Sequence, residues 1–284
     1  MLNGLKPKES VTIIIMNKNF NFNHNYHSHC YLCHHAKGTI SDYCDEAFKL
    51  GFKEYGVSDH GPLLPIWKNR MTFDEFTDIY LKELEINKEK YQGKMKVYKS
   101  LELEYYEEYD KWYYDYLNKY HLDYLVLGQH FVYKNGEIQE TRKGIDHSWV
   151  VDNKNQVVKG IESGYFKVLA HPDYFVLIVT KFRFWYKELE EISREIIEAC
   201  IKNDVYLEVN ANGIRHKRII NEKGEEVYSY PCTEFWKIVS TYKDAKVIIG
   251  SDCHNVNQIK DKAIDDAIDF CNKLNIKLRE RIEL

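Results

Sequence analysis

Nowhere in these 284 residues does an apolar run approach the roughly 20 residues that a membrane span requires. The apolar stretch near the start, Val11-Thr12-Ile13-Ile14-Ile15-Met16 behind Lys6 and Lys8, is too short for a signal-peptide core and lacks a small-residue cleavage site. Met16 offers an alternative start to Met1, which would leave residues 1–15 outside the fold. An excess of positive charge is also missing. Lys and Arg number 40 against 44 Asp and Glu, a net charge of −4, so there is no basic footprint for nucleic acid. A disulfide framework is excluded as well, because the cysteines are seven, an odd number, and scattered; they point to a reducing cytoplasm. No Pro/Gly/Ser-rich linker and no internal repeat divides the chain.

What remains is ordinary for a globular protein: 44% hydrophobic and 30% charged residues. The length fits one α/β barrel of about 250 residues. The 23 tyrosines are read as compositional bias rather than function.

One stretch organises the rest, Asn25-Tyr26-His27-Ser28-His29-Cys30-Tyr31-Leu32-Cys33-His34-His35-Ala36. On an extended strand His27 and His29 point to the same side, which gives a borderline divalent metal such as zinc or manganese its first two ligands. A third imidazole, His34 or His35, follows a short loop later. Downstream, strands and helices alternate. Strands are expected at Phe22 to His27, Tyr55 to His60, Lys96 to Glu104, Asp123 to His130, Val168 to Asp173, Val205 to Asn210 and Lys246 to Gly250. Helices are expected after Ser41 as N-cap, from Phe73 to Tyr91, Asp110 to Tyr120, Val150 to Ser163, Lys187 to Asn203, Thr233 (as cap) to Tyr242, and Gln258 to Leu274. Residues 132–147 read as a loop or hairpin, and Asn212-Gly213 as a turn.

This alternation calls for a parallel sheet. Metal-ligand residue types fall at the C-terminal ends of nearly every strand: His27, His29 and His34 or His35; Asp59 and His60; Glu102; His130; His171 and Asp173; Asp252 and His254. A closed barrel gathers such ends on one face, whereas an open doubly wound sheet spreads them along a crevice. A barrel is therefore expected. Imidazole and carboxylate without thiolate suit a hydrolytic cluster of zinc, manganese or iron, and more ligands are present than a closed structural zinc site would use.

The segments H-S-H-x5-H, S-D-H-G-P-L, L-E-L-E-Y, L-G-Q-H, A-H-P-D, E-V-N-A-N-G-I-R and G-S-D-C-H follow in that order. This pattern resembles the PHP (polymerase and histidinol phosphatase) superfamily of metal-dependent phosphoesterases, over nearly the whole chain from His24 onward. Its C-x-H-A, S-D-H-x-P-L and N-x-x-G-I-R segments are similar to the histidinol-phosphatase branch. The resemblance implies a distorted (β/α)7 barrel over residues 23–284, behind an N-terminal extension of residues 1–22, with a trinuclear centre of Zn, Mn or Fe at the strand C-termini. Carried over position by position, His27, His29, Glu102 and Asp252 bind the first metal. Glu102, as a bridge, His130 and His171 bind the second, and His35, His60 and His254 the third; His35 is chosen over His34 because it directly precedes Ala36. The implied activity is hydrolysis of a phosphomonoester, with histidinol phosphate first and another small phosphate ester or nucleotide second. Asp252 or a metal-bound water is the expected leaving-group acid.

A monoester dianion also needs a cation beyond the metals, and Arg215, then Arg183, are the candidates. Asp59 and Asp173 are expected to orient imidazoles, Glu104 to do so or to end its strand in solvent, and Cys253 to pack inward. Cys30-x-x-Cys33 has no second pair to complete a zinc site. His24, His121, His147 and His216 are expected in packing or surface roles, and the tyrosines of 105–120 in core and interface. The partner is a small phosphorylated molecule, with no nucleic acid and no membrane. Two other classes compete: a metal amidohydrolase, which also opens with H-x-H but commonly bridges its metals with a modified Lys, and a zinc-stabilised binding module.

Overall fold

The computed structural model describes residues 17–63, 68–134, 136–179 and 185–284. In chain order its strands are His24–Asn25 (β1), Glu54–Val57 (β2), Lys96–Leu103 (β3), Tyr124–Leu127 (β4), Phe131–Lys134 (β5), Glu137–Glu140 (β6), Phe166–Leu169 (β7), Tyr206–Asn210 (β8), Ile219–Ile220 (β9), Glu226–Val227 (β10) and Val247–Gly250 (β11). Its helices are Ile40–Lys49 (α1), Phe73–Glu75 (α2), Leu81–Lys90 (α3), Asp110–Asn118 (α4), His147–Glu162 (α5), Val176–Val179 (α6), Lys187–Lys202 (α7), Ala211–Arg215 (α8), Thr233–Val239 (α9) and Lys262–Lys273 (α10).

Seven strands form one parallel sheet in the order β1-β2-β3-β4-β7-β8-β11. The sheet nearly closes on itself: Ser28 and Cys253 bridge in parallel past the ends of β1 and β11. The expected barrel is what forms. Strands covered on both faces must be apolar on both, and β8 (Tyr-Leu-Glu-Val-Asn) and β11 (Val-Ile-Ile-Gly) are buried at every position. Tyr26, Tyr98, Tyr124 and Tyr206 fill the barrel interior together with Val126, Val168 and Ile248. Tyrosines suit that space because each ring supplies bulk while its hydroxyl finds a partner: Tyr124 donates to the Tyr26 carbonyl at 2.7 Å and Tyr26 to Glu54 at 2.6 Å. An outer apolar layer joins the strands to the helices, as where α7 turns Leu189, Ile192, Ile196 and Ile197 inward at helical spacing. Among the described residues, no helix is long and apolar enough to cross a membrane.

Several local expectations are corrected. The N-cap of α1 is Thr39, not Ser41; its hydroxyl accepts from Asp42 N while Asp42 accepts from Thr39 N, a reciprocal cap that satisfies both ends. Cys232, not Thr233, precedes α9, and α10 begins at Lys262 behind Asp261 rather than at Gln258. The stretch 73–90 is helical, interrupted by a π-helical turn at Phe76–Tyr80. Residues 131–140 form the β5–β6 hairpin. Asn212-Gly213 lies inside the short α8, where Asn210 caps Gly213 N at 3.0 Å. Of the expected extension, residues 17–22 pack onto the body: Asn17 bonds to Asn272 and Ile276, and Phe22 is buried edge-on against Phe52. Residues 1–16 lie outside the described residues.

Candidate metal centre

All the expected ligand positions converge at the C-terminal mouth of the barrel. His27 and His29 lie past β1, with Nε2 atoms 3.2 Å apart. Glu102, near the end of β3, brings Oε2 to 3.4 Å from both, and Asp252, past β11, brings Oδ1 to 3.1 Å from His29 and 3.7 Å from His27. The other oxygen of Glu102 faces a second group, with His171 Nε2 at 3.1 Å and His130 Nε2 at 3.5 Å, themselves 3.0 Å apart. Along the rim, His35 Nε2 and His254 Nε2 are 3.0 Å apart, and the rings of His35 and His60 stack at 5.4 Å. Four overlapping sets with ligand-atom spacing suited to a metal ion draw on these residues: His27, His29 and Asp252; His29, His60 and His254; His60, Glu102 and His130; and His29 with Cys33 and Asp59.

The backbone makes room for the carboxylates. A Cβ on Gly128 would stand 1.9 Å from Glu102 Oε1, and one on Gly250 1.9 Å from Glu208 Oε2. Neither glycine tolerates a side chain while those carboxylates keep their places.

The opposite side of five of these rings is held. His27 Nδ1 donates to Glu208 at 2.9 Å, His29 Nδ1 to Asp59 at 3.1 Å, His130 Nδ1 to Glu104 at 2.9 Å, His35 Nδ1 to the Cys33 carbonyl at 2.9 Å and His254 Nδ1 to the Asp252 carbonyl at 3.1 Å. A hydrogen on Nδ1 leaves the Nε2 lone pair facing the centre. In the pairs His27/His29 and His35/His254, two such lone pairs then point at each other across 3.0–3.2 Å. That contact is repulsive unless a proton on one ring or a metal cation lies between them. Two nitrogens at about 2.0–2.1 Å from one zinc ion, at a near-tetrahedral angle, stand about 3–3.4 Å apart. The donor set therefore fits metal.

Charge balance points the same way. Burial alone pushes His27 and His29 down, but the carboxylates of Glu208, Asp252 and Glu102 around the first, and of Asp252 and Asp59 around the second, hold both well above the usual range. Burial pushes Glu102 and Asp252 up, and the surrounding imidazoles, chiefly His130 and His27 respectively, hold both well below it. His254, buried beside His29, falls to about 4. Buried anions gathered this tightly need a positive counterpart, which protons or metal ions supply.

Glu208 was missed by sequence reasoning. It is fully buried and bonds to His27 and, through Asn210 Nδ2 at 2.7 Å, to the network around Asp252. The available signal was a carboxylate inside an otherwise apolar strand. Asp59 orients an imidazole as expected, and of the two roles open to Glu104 it takes the same one; Asp173 does not, because it accepts from Cys232 N and from Trp236 Nε1 at 3.1 Å and so fixes the start of α9. All seven cysteines are free. Cys30 Sγ and Cys33 N both donate to Asp59 Oδ2, so the Cys-x-x-Cys segment braces the His29 partner. Cys253 is fully buried beside Tyr55.

Arg215, expected to bind phosphate, is committed to other partners in this structure. Its guanidinium donates to Asp261 through Nε and Nη2, to the Ser251 carbonyl through Nη1 and to the Gln258 carbonyl through Nη2. It pins the N-cap of α10 and is not among the residues lining the mouth. Arg183 lies outside the described residues. The cations that line the cavity, of about 420 Å³, are instead Lys68, Arg70 and Arg142. His216, expected in a packing or surface role, also faces it, as do Tyr174 and Tyr230. His34 points away, half exposed, with Nε2 3.5 Å from Glu75.

Comparison with known proteins places this geometry. The family model described as the PHP domain matches residues 25–212. Among solved structures, histidinol phosphate phosphatase (HISK) from Lactococcus lactis subsp. lactis, complexed with zinc, L-histidinol and phosphate, superposes with a TM-score of 0.66 at 15% identity, over 93% of this chain and 99% of that one. A candidate histidinol phosphatase, hisK from Listeria monocytogenes, superposes with a TM-score of 0.61 at 20% identity, over 83% of this chain and 97% of that one. No curated protein matches the sequence.

Proposed function

This chain belongs to the PHP domain family, and on that premise we propose that it is a metal-dependent phosphomonoesterase whose first substrate to test is histidinol phosphate. The observation that carries the reading is the pairing of imidazole Nε2 atoms at 3.0–3.2 Å, each ring with its other nitrogen tied to an acceptor. In this reading His27, His29, Glu102 and Asp252 hold one divalent ion. Glu102, His130 and His171 hold a second, and His35, His60 and His254 a third, the ions being zinc, manganese or iron. When bound, such ions polarise a phosphoryl group and acidify water. The Lactococcus lactis neighbour was solved with zinc, L-histidinol and phosphate, which supports a metal-dependent phosphatase reading for this chain.

The protein's own residues supply the rest. Glu102 touches all three ligand groups, with Oε2 at 3.1 Å from His60 Nδ1 as well as near His27 and His29, and Oε1 toward His130 and His171. Its single carboxylate sets the spacing between them. Asp252, held well below the usual carboxylate range by His27 and its neighbours against its burial, is ionised at neutral pH and serves as ligand rather than acid. The leaving-group proton then comes from water in the cavity. Tyr174 and Tyr230, packed at 5.7 Å, form an apolar wall for the organic part of the ester.

A second reading keeps the chemistry and changes the ester. Lys68 at the mouth favours a substrate with more negative charge than histidinol phosphate, whose amine is cationic. The substrate is small and soluble, and free thiols suit a cytoplasmic setting. The test is phosphate release by metal-replete protein from a panel of monoesters that includes histidinol phosphate, with elemental analysis alongside. More than one metal per chain and turnover of at least one monoester are expected. One metal or none, and no turnover, would reject the proposal.

A further inference from the structure

Arg70 is the cation that neither the ligand pattern nor the sequence expectation accounts for. It lies on the segment after His60, whose carbonyl accepts from Met71 N at 3.3 Å, and it is only 5% exposed although it lines the cavity. A guanidinium carries five N–H bonds and cannot be deprotonated. The described structure uses two groups: Nη1 donates to the Asn69 carbonyl at 2.8 Å, and Nη2 to Glu104 Oε1 at 2.5 Å. Nε is buried with no hydrogen-bond partner among the described residues. An unsatisfied buried donor costs free energy that proteins rarely leave uncompensated. Phe131 stands beside the guanidinium, 5.8 Å from its ring centroid.

The position is specific to the centre. Glu104 Oε1 accepts from Arg70 and also from His130 Nδ1 at 2.9 Å. One carboxylate therefore fixes both the cation and an imidazole of the second ligand group. The contrast with Arg215 is direct, since that guanidinium spends its donors on Asp261 and two carbonyls away from the cavity. Arg142, also on the cavity, is an exposed rim group by comparison: its side chain is 66% exposed and paired with Glu140.

We propose that Arg70 is the phosphate anchor of this site, its unspent N–H groups taking non-reacting oxygens of the phosphoryl group while Glu104 holds the guanidinium in register with His130. The proposal rests on the phosphatase reading above. A planar cation fixed from behind by a carboxylate presents its remaining donors without losing side-chain entropy on binding. The site thereby favours an anionic phosphoryl group over a neutral ester.

The experiment uses the full, metal-loaded chain, with inorganic phosphate as competitive inhibitor and the best monoester as substrate. Arg70→Lys keeps the charge beside Glu104 and removes the fork; Arg70→Gln removes the charge; Arg142→Ala is the comparison at the rim. Arg70→Lys is expected to weaken phosphate inhibition and to lower kcat/KM, each by about 10–100-fold, with metal content unchanged. Arg142→Ala is expected to change phosphate inhibition by less than about threefold, as for an exposed ion pair. Unchanged phosphate inhibition in both Arg70 variants of an active enzyme overturns the proposal. So does a loss that follows metal content or melting temperature alone, since that marks a structural arginine, and so does a loss found at Arg142 instead. If the wild-type protein neither turns over a monoester nor binds phosphate, the phosphatase reading fails, a result distinct from any of these.

Discussion

Replacing Glu208 by Gln tests whether the centre depends on a residue that touches no cavity. Glu208 is completely buried, and its carboxylate accepts from two sides, His27 Nδ1 at 2.9–3.0 Å and Asn210 Nδ2 at 2.7 Å. Both neighbours are donors. A glutamine has one acceptor oxygen and one donor nitrogen, so whichever way its amide turns, it opposes donor to donor on one side. Leaving a buried polar group unsatisfied costs about 1–3 kcal/mol. If the amide turns against His27, the ring loses the acceptor that keeps hydrogen on Nδ1 and the lone pair on Nε2. If it turns against Asn210, the Asn210 bond to Asp252 Oδ2 at 3.0 Å is disturbed instead. Either way a ligand of the first group is mispositioned. Outer partners of metal-bound imidazoles are worth about 10–100-fold in affinity or activity. Zinc affinity measured by competition with a chromophoric chelator should fall by that factor, with kcat/KM falling in parallel and the circular dichroism spectrum unchanged. Affinity and kcat/KM both within about twofold of wild type would refute the reasoning.

Glu102→Gln should abolish turnover while the fold persists, because one carboxylate serves all the ligand groups; near-wild-type kcat in metal-replete protein would contradict that. Arg215→Lys should leave KM unchanged and lower stability by about 1–3 kcal/mol through the lost contacts to Asp261 and the carbonyls of Ser251 and Gln258; a denaturant titration beside a KM measurement decides between this and substrate binding. His35→Ala should lower metal content, whereas His34→Ala, half exposed and facing Glu75, should not; the reverse result in elemental analysis would reassign the ligand.

The barrel was legible in the sequence because its signals are periodic and local. Buried parallel strands read as apolar runs, and ligand types at their ends count only if a closed sheet gathers them. Glu102 could be placed because Lys96 to Glu104 alternates up to it. Glu208 escaped notice because its strand is apolar on both sides, so no alternation marks the direction of its side chain. Arg215 misled for a physical reason: Asn-Gly is a turn signal, but Asn210 caps a helical turn through Gly213 N, and that turn carries the arginine toward Asp261. Arg70 and Lys68 follow the Gly61-Pro62 break. Where a loop returns after such a break depends on long-range packing, which periodicity does not encode. Four of the tyrosines taken as compositional bias, Tyr26, Tyr98, Tyr124 and Tyr206, fill the barrel interior, a role visible only once strand neighbours are known.

The joint between the first and last barrel strands has a further consequence. Ser251 N reaches Asn25 Oδ1 at 2.9 Å across 226 residues of chain, and His29 N and Asp252 N complete the joint by bonding to the carbonyls of Cys253 and His27. No tight turn helps these strands to find each other, so the loop-closure entropy there is the greatest of any neighbouring pair in the sheet. His27 and His29 flank one lip of the joint, Asp252 and His254 the other. A cation shared among them would act as a rivet across this joint. Ions bound there would hold the ring shut, and stripping them would loosen this one joint ahead of the rest of the sheet.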